Sequence, residues 1–312
     1  MTSIPFNAQL VLSGPFRKPR QMLKEQKING HRSIHDDGTA KTFGFKAGPI
    51  EGPTHFSQFV PLLYKIWGRQ WLETGCISAH YQSMCIEGDE VRAYAEFPGQ
   101  GNRQIRIWAE KKDGTLVLSG TASVGPEHPE TELERRLRSL RPAGKLVILR
   151  DMKVGNKGTQ TEKIKMDFDQ RMDAKYPFSL NSKLKVITEM SPWYTQQGSV
   201  DSPWERPIIP LEMVSVLTQY TSRQAHFPVR GPATSLFVDQ EIRMIRGPLF
   251  VGKEYLLNRE IIALSESQRT ESYWTKNHVR DPENGEIVAV TILNLALLKE
   301  SLAGYKNEAS VE

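Results

Sequence analysis

The sequence predicts an α+β protein made of two copies of one unit, each a long central helix wrapped by an antiparallel sheet. Three features carry this. Residues 56–67 (FSQFVPLLYKIW) are apolar nearly all round, whereas a surface helix would show a single apolar stripe. Short alternating segments separated by Gly turns follow that helix, as in an antiparallel meander. The second half of the chain then repeats the order of the first.

Taken in order, residues 8–12 suggest a first strand, followed by a basic stretch punctuated by Gly and Pro. HRSIHDDGTAKTFGF (residues 31–45) suggests a short helix or turn packed against the central helix. After the central helix, strands are expected over 77–86, 91–97, 103–111 and 116–124, separated by Gly-Asp, Gly-Gln-Gly-Asn and Asp-Gly-Thr turns. Residues 126–142 suggest a polar helix with Leu133, Leu137 and Leu140 on one side, and 145–152 a further strand. Residues 153–205 are irregular and long for a linker, as a lid or elaborated loop would be.

The repeat begins at RPIIPLEMVSVLTQY, which matches GPIEGPTHFSQFVPL with Pro207-Ile208 on Pro49-Ile50. Gly252 falls on Gly88 and Gly285 on Gly114, with offsets that rise along the chain as loop insertions would make them. The expected organisation is a first copy over 1–140, a connector over 141–205 and the core of a second copy over 206–312.

Composition narrows the function classes. At 312 residues, 38% apolar and 25% charged, the chain is long enough for one large or two ordinary domains of a soluble protein. No apolar run approaches the ~18 residues of a membrane span. The N-terminus lacks a basic start followed by an apolar run, so a cytoplasmic protein is expected. The net charge of +5 comes from scattered Lys and Arg, which favours a mildly basic surface over nucleic-acid binding. Cys76 and Cys85 lack CxxC spacing and read as reduced, buried side chains. There is no GxSxG elbow, P-loop or GxGxxG after a strand, and no histidine spacing that suits a metal.

A strand, a buried helix and a wrapping meander describe the hot-dog unit, and two in one chain make a double hot-dog. Ile34-His35-Asp36-Asp37, with Ala40 and then Gly44-Phe45, resembles the hydratase motif of the MaoC-like family, Asn-Pro-Leu-His followed by a small residue and a Gly-Phe pair. Ile50-Glu51-Gly52 resembles that family's Ile-x-His-Gly segment. The likeness spans most of the chain outside residues 153–205. It implies an acyl-thioester substrate, typically of coenzyme A and needing no further cofactor, that is hydrated or dehydrated by an Asp and His pair beside helix-start amides. His35 falls on the family's catalytic histidine, while Gly30 and Arg32 stand where the family has its Asp and Asn. A monomer or a homodimer of double hot-dogs is expected, with a small acyl molecule as partner.

The candidate catalytic residues are His35, Asp36, Asp37 and His55. The His35 cluster supplies a base and carboxylates to orient it, although an Asp before a short helix is also an ordinary cap. His55 lies near a helix start that favours an anion or a carbonyl oxygen, and a satisfied core histidine is its alternative. Met213 and Glu212 occupy the equivalent places in the second copy, where the first has His55 and Thr54. Candidate substrate contacts are Glu51, Gly52, Gln58, Glu212 and Trp193, the last as an acyl-chain cover or as an anchor for its own loop. Hot-dog thioesterases use a carboxylate near the same helix, so thioester hydrolysis stays open. So does binding of an acyl or polycyclic ligand without turnover.

Overall fold

Proline at position 61 shapes the join between the 3-10 and α parts of the first copy's central helix. It has no N–H to offer the Ser57 carbonyl, and its ring crowds that carbonyl. Instead, the Val60 N–H bonds Ser57, and Gly52–Phe59 winds as a tight 3-10 helix before α2 (Val60–Trp67) continues as an ordinary one. The computed structural model describes residues 9–28, 30–99 and 101–310, so Ala8 of the expected first strand lies outside it.

The described chain runs β1 (Val11–Ser13), a hairpin of β2 (Lys27–Ile28) and β3 (His31–Arg32), α1 (Asp37–Thr42), the 3-10 segment and α2. Then follow α3 (Arg69–Thr74), β4 (Gly75–Tyr81), β5 (Val91–Glu96), β6 (Gln104–Lys111), β7 (Leu116–Val124) and α4 (Glu132–Arg138). The remainder is β8 (Glu162–Ile164), α5 (Leu180–Leu184), α6 (Leu211–Gln219), β9 (Ser235–Met244), β10 (Tyr255–Glu266), β11 (Thr270–Arg280), β12 (Ile287–Leu298) and α7 (Tyr305–Ala309).

One ten-stranded sheet runs β1-β5-β6-β7-β4-β9-β12-β11-β10-β8. Its two halves have the same order read outwards from the central β4–β9 pair, in which Ile77 faces Ile242 and His80 faces Asp239. The internal repeat is therefore a structural one. Bridges recur at equivalent places, Pro49 to Ile86 in the first copy and Ile208 to Phe250 in the second. Gly88 (φ +100°) and Gly252 (φ +80°) each follow such a bridge by two residues, in a conformation that side chains resist.

The two central helices lie side by side in the hollow of the sheet, with Phe56, Phe59, Leu63, Met213 and Leu217 in one continuous core. The amphipathic segment expected over 126–142 forms only α4, capped by Thr131 and Glu134. It packs on the other face of the sheet, with Leu133 against Trp274 and Ile292.

Three expectations need correction, the first being the strand expected over 77–86, which as β4 ends at Tyr81. Residues 145–152 form turns, because the Glu271 carboxylate accepts the Val147 and Leu149 amides that a strand would have used in its ladder. Conversely, the segment read as irregular contains β8, which pairs with β10 as β1 pairs with β5. β8 is pinned by a buried ion pair in which Arg259 donates through Nε and Nη2 to both Glu162 oxygens at 2.7 and 2.9 Å. Thr221 and Asn277 accept the remaining guanidinium bonds.

Replacing Glu162 by Ala leaves that guanidinium buried without a counterion, and urea unfolding should show a loss of about 3–5 kcal/mol. The double variant Glu162→Leu with Arg259→Met should lose much less, since it buries no unpaired charge.

Candidate active site

A cavity of about 640 Å³ opens where the first copy's central helix begins. One side of its wall is polar and includes His35, Glu51, Gly52, His55, Tyr81 and Tyr176. Leu236 of β9 and Leu293, Leu295 and Leu297 of β12 make an apolar wall from the second copy. The cavity thus lies between the copies.

His35 sits on the turn into α1. Gly48 lets this turn close, since a Cβ there would come within 2.1 Å of the His35 carbonyl. The ring is fixed by Nδ1–H donating to the Pro49 carbonyl at 2.6 Å, which leaves Nε2 as an acceptor. Burial outweighs that bond and pushes its pKa down to about 4, so the ring is neutral at pH 7.

Glu51 caps the 3-10 helix without bonding its amides through the side chain. It accepts a 3.0 Å hydrogen bond from the Tyr176 hydroxyl. Burial raises its pKa to about 7, against the lowering effects of Tyr176, Lys183 and Lys175. Within this site it is the carboxyl group able to exchange a proton near neutrality. Gly52 begins the helix with its N–H among the unpaired first-turn donors. It must be glycine because a Cβ would stand 2.5 Å from the Tyr81 ring. Tyr81 is held in turn by donating to Gln240 at 3.0 Å.

His55 is 1% exposed and lines the cavity with Nδ1 unpaired. Burial and the charges of Lys183 and Lys111 lower its pKa to about 4.

The other sequence-derived candidates lie outside the cavity wall. Asp36 is the N-cap of α1, accepting from the Thr39 amide at 2.9 Å and pairing with Arg32. The Thr39 bond holds its carboxyl below the usual range. Asp37 accepts the Gly48 amide at 2.9 Å and so braces the loop that carries His35. Gln58 is buried, and neither atom of its amide is hydrogen-bonded among the described residues. Glu212, deep beside the first copy's helix, pairs with Lys183 at 3.2 Å, and Lys183 also donates to Thr54. Trp193 packs edge-on to Tyr64 and Trp204, as an anchor for its own loop would.

The residues missed from sequence are Tyr81, Lys175 and Tyr176. The last two come from the 153–205 segment, which returns across the mouth of the first copy: Gln26 donates to the Lys175 carbonyl, and the Lys27 amide to that of Ala174. The excess length of that segment was the signal in the sequence that it had work beyond connection.

No family profile and no curated protein matches the chain. Solved structures do. One is a protein described as a MaoC domain dehydratase from Chloroflexus aurantiacus J-10-fl, 12% identical, covering 94% of this chain and 95% of that one with a TM-score of 0.60. A Mycobacterium tuberculosis protein described as having a double hotdog fold is 12% identical over 94% and 96% of the two chains, TM-score 0.51. A MaoC-like dehydratase is 13% identical over 90% and 96%, TM-score 0.50. The fold is the double hot-dog.

Glu51 binds its proton more tightly in the folded chain than its ordinary value of 4.5 allows in the unfolded one. The folded state therefore holds the extra proton between pH 4.5 and about 7, and stability attributable to this group falls as pH rises through that window. Urea unfolding should show Glu51→Gln gaining on the parent chain by up to about 3 kcal/mol between pH 5 and pH 8.

Proposed function

We propose that the chain adds water across the double bond of an α,β-unsaturated acyl thioester, or removes it, with Glu51 moving the proton. The observation that carries this reading is the Glu51 carboxyl, with a pKa near 7, inside a cavity that also holds helix-start amides. Likeness in fold to proteins described as MaoC dehydratases agrees with it.

In the hydration direction, the thioester carbonyl lies toward the first-turn amides, with Gly52 nearest the start. Those donors stabilise the enolate oxygen that develops as the β-carbon is attacked. Glu51, ionised, takes one proton from a water molecule whose oxygen bonds to the β-carbon. His35 Nε2 accepts a hydrogen bond from the second proton of that water and orients it. The protonated Glu51 then returns its proton to the α-carbon, so one water is added and the carboxylate is restored. Tyr176 holds the carboxyl in place and favours its ionised form. Glu51 with His35 would thus do the work of the Asp and His pair whose Asp position is Gly30 here.

The test is hydration of a series of trans-2-enoyl-CoA thioesters, followed by loss of enoyl absorbance. Turnover should rise with pH through an apparent pKa near 7, fall at least 100-fold in Glu51→Gln, and fall less in His35→Ala. Asp36→Ala should keep its activity and lose only about 1 kcal/mol of stability with its cap. Release of free thiol in place of hydration would move the reaction to thioester hydrolysis. Binding without conversion would make the chain a ligand carrier.

A further inference from the structure

In the same cavity, the Lys175 ammonium lacks a counterion among the described residues. Lys175 Nζ donates to the Ser222 hydroxyl at 2.7 Å, and no described carboxylate lies within ion-pair distance of it. The acids whose charges reach it are both engaged. Glu162 is chelated by Arg259, and Glu51 is bonded to Tyr176. The nearby cations, Arg259 and Arg223, add to its positive field. Gln219 is 5% exposed and lines the same cavity, with no hydrogen bond to its side-chain amide among the described residues. Gln219 is the last residue of α6 and Ser222 the first of the 3-10 turn that follows it, and both line the cavity.

We propose that Lys175, Ser222 and Gln219 form a second recognition point in the cavity, for a carboxylate carried by the ligand at the end away from its reacting group. A carboxylate accepts from an ammonium, a hydroxyl and an amide at once, and those are the donors left unfilled. Burial and Arg259 press the Lys175 pKa down to about 7, and a bound carboxylate would reverse that cost. The substrate class is then a half-thioester of a dicarboxylic acid. The thioester part of that description rests on the function proposed above; the carboxylate part stands on the cavity alone. The alternative for Lys175 is a cation at the carbonyl end of α6, held there for stability only.

Two pairs of probes separate these readings in the full-length chain: adipoyl-CoA against hexanoyl-CoA by calorimetry, and adipic acid monoamide against hexanamide by thermal shift. The parent chain should bind the carboxylate member of each pair about tenfold more tightly or better. Lys175→Met and Gln219→Leu should each reduce that preference, Gln219→Leu should leave hexanoyl-CoA affinity unchanged, and Lys175→Arg should retain part of the preference. Circular dichroism identifies a variant that has failed to fold, and the other then decides. No carboxylate preference in the parent chain, or one that survives both substitutions, overturns the proposal. So does an equal loss of affinity for free CoA in Lys175→Met, which would give the lysine to the carrier's phosphates. If the monoamide shows the preference while neither thioester binds, this site stands and the acyl-thioester reading falls.

Discussion

Where β4 meets β9, two five-stranded half-sheets become one curved surface, and the helix starts of both copies are taken out of water together. A helix start carries N–H groups that must find an acceptor, and desolvation makes any charge near them expensive. The polar residues gathered there, Glu51, Thr54, His55, Lys183 and Glu212, answer to one another as much as to any ligand. The perturbed protonation of Glu51 follows from this arrangement and needs no special device.

The two copies meet that constraint in different ways. In the second, a carboxylate, Glu212, is closed off against Lys183, and the residue matching His55 is the apolar Met213. In the first, the corresponding place stays open as a cavity wall, with Glu51 and two neutral histidines around it. Duplication gave the chain a closed helix start that serves the core and an open one that can serve chemistry. The apolar wall of the open site is supplied by β9 and β12 of the closed copy, so neither half would make the cavity alone.

Much of the fold was legible because its local signals agreed. The strand expected over 116–124 is β7 to the residue, since apolar alternation and the Asp-Gly turn at 113–114 point the same way. What escaped reading was decided by distant partners. Residues 145–152 look like a strand, yet the Glu271 carboxylate takes the Val147 and Leu149 amides; β8 is only three residues long, pairs with the distant β10 and is pinned there by Arg259 on Glu162. Apolar periodicity also passes over the 3-10 winding of Gly52–Phe59 that precedes Pro61. Of the cavity wall, Glu51, Gly52 and His55 were named from their place at one helix start, and His35 from its Asp neighbours and its likeness to the family motif. Lys175 and Tyr176 were not, because 125 residues of chain separate Glu51 from the tyrosine that bonds it.

The central claim is that the Glu51 carboxyl exchanges its proton near neutral pH inside the cavity. It is tested most directly by a ¹³C NMR titration of the folded chain with labelled glutamate side chains. One carboxyl resonance should titrate near pH 7, vanish in Glu51→Gln, and move to higher pH in Tyr176→Phe, where the bond favouring the ionised form is gone. A Glu51 resonance that titrates in the ordinary carboxylate range would contradict the account.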